Sequence, residues 1–255
     1  MPERPAPPSA PAAARDVAAR PRLPYAPGLD GLRALAVAAV VLYHGGVGWA
    51  SGGFLGVDVF FVLSGFLITS LLLVERDHSG TIELARFWLR RARRLLPAAL
   101  TLIGVCLLVT AVFMPSDLAW MRGDSIASAL YFNNWHQIID QRSYFQSFAR
   151  PSLLQHLWSL SVEEQFYLLW PPLLLLASAR LRRRNVIIAT ALAAIASAVA
   201  MGLVYTPGAD PSAVYYDTGT RAFELLAGAL LAFAWSPARL RADLRRGAAA
   251  AIDVA

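Results

Sequence analysis

The feature that most constrains the fold is a near-continuous apolar stretch from Leu29 to Trp49. It is about 20 residues long, which is the length that an α-helix needs to cross a lipid bilayer. Two ionisable side chains interrupt it, Arg33 and His44. Eleven steps of about 100° return a helix to within roughly 20° of the same face, about 16 Å further along its axis. The stretch therefore predicts a membrane-crossing helix with Arg33 and His44 on one face.

This shared face has two interpretations. Charged side chains are costly in hydrocarbon, so the face is expected to line the protein interior or a water-filled cleft. The alternative is structural: Arg33 extends to the membrane interface, and His44 is a packing residue with its hydrogen bonds satisfied.

Five further apolar stretches follow, so the chain is predicted to be all-α, a polytopic transmembrane helical bundle. Hydrophobic residues make up 57% of the sequence and charged residues only 16%, which is typical of such a protein. The single cysteine, Cys106, lies inside an apolar stretch, so neither a disulfide nor a metal site is predicted. The six predicted spans cover roughly 29–49, 55–74, 95–114, 157–178, 186–204 and 218–235, and a seventh is predicted to begin at Ala248.

The distribution of arginine predicts the orientation. Four arginines precede the first span and six lie between the second and third spans, whereas the 50–54 and 205–217 connections have none. Because cytoplasmic segments are enriched in basic residues, the N-terminus is predicted to be cytoplasmic. Residues 1–24 are predicted to be a disordered cytoplasmic tail, and residues 25–255 the transmembrane domain. Membrane topology also accounts for the net charge of +6, so no nucleic-acid partner is expected.

Two acids are candidate partners of His44. Asp58 follows a glycine-rich turn between the first two spans, and counting from that turn places it at nearly the depth of His44. A contact between the imidazole and this carboxylate is therefore predicted, although Asp58 could instead cap the second helix. Glu163 is predicted at the outer mouth of the fourth span, also close in depth to His44. Ser161 and Glu164 form a capping-box pattern, which gives Glu164 a structural role.

Two further groups of charged residues lie on the spans. The sixth span carries Arg221 and Glu224 three residues apart on one helical face, and they are either functional polar residues or a buried ion pair that ties helices together. A basic cluster at the cytoplasmic start of the third span is either an anchor for topology and lipid headgroups or a cradle for phosphate. It consists of Arg90, Arg91, Arg93 and Arg94.

Five motifs occur in order over about residues 25–235. They are LDGLRALAVAAVVLYH, GGFLGVDVFFVLSGFLIT, FWLRRARRLLP, LWSLSVEEQFYLLWP and TRAFELLAGALLA. Together they resemble the bacterial membrane acyltransferase-3 family of polytopic O-acyltransferases. Members usually have more than six spans, so the chain is expected to be truncated at its C-terminus.

The resemblance implies an activity and assigns residues to it. An acyl group, often acetyl, would move from cytoplasmic acyl-CoA to a hydroxyl of a cell-envelope glycan or another acceptor, at the bacterial cytoplasmic membrane. His44 would be the essential histidine, Arg33 its paired basic residue and Glu163 the outer glutamate. The basic cluster would bind the donor. No permanently bound cofactor and no metal is expected.

The mechanism and the class of function have alternatives. His44 would act as a general base, with Asp58 or Glu163 orienting it, or it would carry the acyl group covalently. The alternative function is a transporter or flippase for a glycan or lipid-linked substrate, which would also place ionisable residues on interior helix faces. A non-catalytic membrane scaffold is a third class.

Overall fold

The computed structural model describes residues 26–145 and 152–235, and every regular element in these two ranges is helical. The all-α prediction is therefore confirmed for this part of the chain. The predicted tail and the start of a seventh span lie outside the described residues. The α-helices are α1 (Pro27–His44), α2 (Gly56–Ser79), α3 (Leu84–Phe113), α4 (Leu118–Ala129), α5 (Asn133–Ile139), α6 (Leu157–Arg180), α7 (Arg183–Val204), α8 (Ser212–Tyr216) and α9 (Thr218–Ala234).

Three helical segments in the described ranges are long and apolar enough to cross a membrane. They are Gly53–Ser79, Leu84–Phe113 and Arg183–Val204, with mean hydropathies of 2.4, 2.5 and 2.3. They correspond to the second, third and fifth predicted spans. The other three predicted spans fall on α1, α6 and α9, which do not qualify by length and composition; α9 has only 17 residues. The structure thus supports a helical membrane protein, and the count of six spans stays a prediction.

The core is built around α2, which packs closely against α9. A Cβ atom on Gly65 would lie 1.9 Å from the Leu225 carbonyl oxygen, and one on Gly228 would lie 2.0 Å from the Val62 carbonyl oxygen. Glycine is therefore required at both positions, because only a residue without a side chain lets the two backbones approach this closely. On its other side α9 packs against α7. This packing fixes the polar side chains of α9 against α2.

The connection between α1 and α2 folds back along α1 instead of turning at its end. A Cβ atom on Gly53 would lie 2.1 Å from the Ala39 carbonyl oxygen, and one on Gly56 would lie 2.4 Å from that of Ala36. The first residue of α2 therefore lies beside a position eight residues before His44, which is about 12 Å along the helix axis. The acidic residue in the first turn of α2, Asp58, starts from that lower level.

Helices α4, α5 and α8 form a layer at the end of the bundle where α1 ends and α6 begins. The side-chain amide of Asn134 donates to the carbonyl oxygen of Tyr216 at 3.0 Å and to the hydroxyl of Thr218 at 2.9 Å. The amide of Gln165 donates to the carbonyl oxygen of Tyr131 at 2.9 Å. Buried amides that are satisfied in this way join the layer to α6 and α9.

Candidate active site

His44 is the last residue of α1, and its two ring nitrogens have different partners. Nδ1 lies 2.8 Å from the carbonyl oxygen of Val40, and Nε2 lies 3.3 Å from the hydroxyl of Tyr144. A carbonyl oxygen can only accept, so Nδ1 carries the proton of the neutral ring and Nε2 is left as an acceptor. A backbone carbonyl therefore orients this imidazole, and its basic nitrogen faces a hydroxyl group.

Tyr144 is held beside His44 by a hydrogen bond of its own backbone and by an ion pair made by Arg142. Its backbone N–H donates to the Ser212 hydroxyl at 2.7 Å, and Arg142, two residues earlier, binds the buried carboxylate of Asp124. Burial raises the pKa of Tyr144 to about 12. The phenol therefore stays protonated at physiological pH, which suits a hydroxyl that donates to the Nε2 atom of His44.

A second imidazole, that of His156, lies against His44. The ring centroids are 4.7 Å apart and the ring planes are nearly perpendicular, at 84°. Burial, and then the nearby His44, lower the pKa of His156, so it is neutral at physiological pH. Sequence reasoning did not include His156 among the site residues. The available signal was its position directly before the fourth predicted span, at the same end of the bundle as His44.

Asp58 binds Arg221 of α9 and makes no contact with His44 among the described residues. Arg221 also pairs with Glu224 at 2.9 Å, and both of these residues are buried, with 4% and 3% of their surface exposed. Arg221 and Glu224 therefore form a buried ion pair, which was the structural one of their two interpretations. The predicted contact between Asp58 and His44 is wrong, because α2 begins about two turns below the end of α1 and the nearest counter-charge is a guanidinium.

Glu163 also lies away from His44. It follows His156 by seven residues, which places it about 10 Å further along α6. Its Oε2 atom accepts hydrogen bonds from the hydroxyls of Ser64 and Tyr167, both at 2.9 Å. The prediction that Glu163 sits near the depth of His44 is therefore wrong. Ser64 of α2 is thereby joined to α6 through this carboxylate.

The predicted capping box at the start of the fourth span is wrong. Helix α6 begins at Leu157, so Ser161 is already inside it. The Ser161 hydroxyl donates to the Leu157 carbonyl oxygen at 2.9 Å and accepts from the backbone N–H of Asn133 at 3.2 Å. Glu164 instead forms an ion pair with Arg91, whose Nε lies 3.7 Å from its Oε1 atom.

The four arginines of the basic cluster diverge around α3. Arg90 pairs with Glu75 at 3.3 Å on an exposed surface, and Arg93 is also exposed. The guanidinium of Arg91 lies 3.7 Å from the ring centroid of Tyr167, and Arg91 and Arg94 both line one cavity. The structure therefore brings two of the four candidate donor-binding arginines to a common site.

This cavity has a volume of about 440 Å³ and lies between α1, α2, α3 and α6. It follows α2 from Phe60 to Leu71, which corresponds to about 16 Å of helix. Arg33 also lines it, with Asp30 3.3 Å away. Guanidinium groups beside a long apolar wall suit an elongated ligand with an anionic end. The wall is formed by Leu63, Leu67, Leu71 and Leu95.

The arrangement thus has two parts. One end of α1 presents an imidazole whose Nδ1 atom is held by a backbone carbonyl and whose Nε2 atom faces a hydroxyl, and the other end borders a cavity with guanidinium groups. Within the described ranges, no group of three or more His, Cys, Asp or Glu side chains is placed to hold a metal ion.

Comparison with known proteins identifies the family. A family model described as an acyltransferase domain matches residues 27–252. Peptidoglycan O-acetyltransferase OatA of Listeria monocytogenes is 47% identical over 232 residues, which is 91% of this chain and 37% of that protein. The putative peptidoglycan O-acetyltransferase YrhL of Bacillus subtilis is 48% identical over 220 residues, 86% of this chain and 35% of that protein. O-acetyltransferase OatA of Staphylococcus aureus is 44% identical over 230 residues, 90% of this chain and 38% of that protein.

The chain therefore spans a little over a third of the length of these relatives. No solved structure matches it. Because the family model covers most of the chain, and the five motifs occur within the matched residues, the chain belongs to the acyltransferase-3 family.

Proposed function

We propose that this chain belongs to a multi-pass O-acyltransferase of the bacterial cytoplasmic membrane, which moves an acetyl group from cytoplasmic acyl-CoA to a hydroxyl of the cell-wall glycan. The observation that carries the proposal is the His44 ring, whose Nδ1 atom is held by a backbone carbonyl and whose Nε2 atom faces a hydroxyl at one end of α1, while Arg33 borders a cavity near the other. The glycan acceptor is proposed because two relatives bear the name peptidoglycan O-acetyltransferase.

In the proposed reaction, an acceptor hydroxyl takes the place of the Tyr144 hydroxyl beside His44. Nε2 removes the proton as the acceptor oxygen attacks the thioester carbonyl, and the Val40 carbonyl oxygen stabilises the Nδ1–H of the imidazolium that forms. The carbon–sulfur bond then breaks, and the imidazolium returns the proton to the departing thiolate. This step needs no carboxylate next to the imidazole.

The donor is proposed to enter from the cytoplasmic end. Arg33, Arg91 and Arg94 would bind its phosphates, because a guanidinium fork matches phosphate geometry. The extended arm of coenzyme A, which joins its phosphates to the thioester, would run from Arg33 along the face of α1 for about 16 Å to His44. It would pass the exposed apolar side chains of Val37 and Val41. This path requires α1 to run outward from the cytoplasm, as the arginine distribution predicts.

The transporter alternative is less well supported. It was based on ionisable residues at interior helix faces, and such residues suit either class. The relatives named above are O-acetyltransferases, and none of those three is named as a transporter.

Transfer of radiolabelled acetyl from acetyl-CoA to a soluble peptidoglycan glycan, measured in membranes containing the protein, tests the proposal. His44→Ala should lower the rate by at least 10²-fold, the lower limit of the range typical of a general acid or base. His78→Ala is the matched control, because His78 is an exposed histidine at the other end of the bundle, on α2. Near-normal transfer by a folded His44→Ala protein would refute the role of His44.

A second measurement separates the two mechanisms for His44. Incubation with labelled acetyl-CoA without acceptor should leave no label on the protein if the imidazole acts only as a base. Label on a peptide containing His44, lost in His44→Ala, would instead establish a covalent acyl-histidine.

A further inference from the structure

Ser64, Glu163 and Tyr167 form a compact polar cluster on the wall of the arginine-lined cavity. Both hydroxyls lie at donor distance from the same carboxylate atom, Oε2 of Glu163, and the two hydroxyl oxygens also contact each other. The guanidinium of Arg91 covers the Tyr167 ring. The Glu163 carboxylate is therefore held in one orientation by side chains from two helices.

The second carboxylate oxygen of Glu163 is left available. Among the described residues no hydrogen bond is made to Oε1, and Glu163 is a partly exposed residue that lines the cavity. Two arginines that line the same cavity form ion pairs with other acidic residues. Arg33 pairs with Asp30, and Arg91 pairs with Glu164. A carboxylate oxygen that is fixed, accessible and unpaired in a cavity is a hydrogen-bond acceptor for a ligand.

The chemistry of the proposed donor supplies a matching group. Between its phosphates and its thioester, coenzyme A has an uncharged arm with amide N–H groups and a hydroxyl. On the basis of the function proposed above, we propose that Oε1 of Glu163 binds an N–H or O–H group of this arm, and that Ser64 and Tyr167 position the carboxylate. Glu163 is then a donor-binding residue and not the base that activates the acceptor.

The position of the cluster favours this role over proton transfer at the acceptor. Glu163 lies about 10 Å along α6 from His156, whose ring contacts His44. A general base must approach the reacting hydroxyl within about 3 Å. Glu163 borders the same cavity as Arg91 and Arg94, so a ligand with its phosphates there passes beside it.

Two fragments of the donor separate the contributions of the arm and the phosphates. Pantetheine has the arm without the nucleotide, and adenosine 3′,5′-bisphosphate has phosphates without the arm. Inhibition of acetyl transfer by each fragment is measured in membranes with the wild type, Glu163→Gln, Tyr167→Phe and Ser64→Ala. Ser70→Ala is the matched control, because Ser70 is a buried serine of α2 that does not line this cavity.

Glu163→Gln should raise the inhibition constant of pantetheine by about tenfold, because it replaces a hydrogen bond to a charged acceptor by a neutral one. The constant for the bisphosphate should change by less than about twofold. Tyr167→Phe and Ser64→Ala should raise the inhibition constant of pantetheine by a smaller factor. In all three variants KM for acetyl-CoA should rise while kcat changes little.

Other outcomes would overturn the assignment in distinct ways. A loss of kcat by 10² or more with unchanged pantetheine inhibition would make Glu163 a general base. Equal weakening of both fragments would make the cluster structural, and no change in any variant would leave Glu163 without a role in donor binding. If neither fragment inhibits the wild type, the proposed donor itself is wrong, which is a separate failure.

Discussion

The guanidinium of Arg142 binds both carboxylate oxygens of Asp124, at 2.7 and 2.8 Å. Asp124 lies on α4 and has no exposed surface, and Arg142 follows α5. Arg142 also contacts Asp140 at 2.6 Å, and His136 lies 3.1 Å from Asp124. This network fixes the loop that carries Tyr144 to the end of the bundle where His44 lies.

Breaking this ion pair should destabilise the outer layer. Asp124→Asn leaves the Arg142 guanidinium without its buried partner, and removal of one member of such a pair costs roughly 3–5 kcal/mol. Thermal unfolding of the purified protein in detergent measures the loss. Arg122→Gln, an exposed change on the same helix, should alter stability by less than about 0.5 kcal/mol. Equal stability of both variants would show that the network is dispensable.

The stability of the protein should fall at acid pH because of His156. Its pKa in the folded chain is below the usual value of 6.5, so the unfolded chain binds a proton first as the pH falls. Proton binding at this histidine therefore does not affect the free energy of unfolding at pH 8, and it lowers that free energy as the pH drops below about 6.5. His156→Gln should reduce the difference in melting temperature between pH 7.5 and pH 5.5. An unchanged difference would mean that His156 titrates alike in both states.

Adding a methyl group at the α2–α9 contact should destabilise the bundle. In Gly65→Ala the new Cβ atom would overlap the Leu225 carbonyl oxygen, and overpacking of this kind costs roughly 1–3 kcal/mol or more. Gly104→Ala on α3 is the control, because a Cβ there meets no atom within 4 Å. That change should be neutral or stabilising by up to about 1 kcal/mol, since alanine is the better helix former. A Gly65→Ala protein as stable as the wild type would show that α2 and α9 can separate.

The basic cluster on α3 should divide into two functional pairs. Replacing both Arg91 and Arg94 by Gln should raise KM for acetyl-CoA by at least about tenfold, because charge-assisted hydrogen bonds to phosphate are lost. The same change at Arg90 and Arg93, which lie outside the cavity, should have less than about a twofold effect. A lysine pair at 91 and 94 distinguishes a phosphate fork from a charge alone, since lysine cannot bind bidentately. Equal effects of the two glutamine pairs would make the cluster a topological anchor.

The orientation of the bundle can be tested with single cysteines in a Cys106→Ala background. Cysteines at Gly52 and Gly208 should react with a membrane-impermeant thiol reagent in intact cells, because both positions are exposed in connections predicted to lie outside. A cysteine at Arg184 should react only after permeabilisation. Labelling of that position in intact cells would reverse the orientation and place the arginine-lined cavity outside.

The helical class and the division of the chain into apolar helices could be predicted from local composition, because each helix in a bilayer must satisfy its own backbone. The ion pair between Arg221 and Glu224 was equally accessible, since residues three apart share a helical face. The position of Asp58 along the axis of α1, relative to His44, could not be predicted. It depends on how the glycine-rich connection packs along α1, and that packing leaves no periodic signal.

The partners of His44 illustrate the same limit. Tyr144 is 100 residues away in sequence and lies in an irregular loop, so no spacing rule links the two residues. The location of Glu163 depended on the start of α6, which lies four residues before the apparent capping serine. Helix ends are decided by local caps and tertiary contacts, which makes them the least predictable boundaries.

Helix α1 extends about two turns beyond the start of α2, so its last residues are surrounded by loops and short helices rather than by long helices. The cavity near its other end is built from four long helices. Different structural elements therefore surround the two ends of α1. If the proposed function is correct, insertions and substitutions in the loop that carries Tyr144, or in α8, can diversify the acceptor that reaches His44 while the proposed donor end stays unchanged. In that case, changes in the loops alone would alter acceptor specificity, while the long helices around the cavity would keep the same acyl donor.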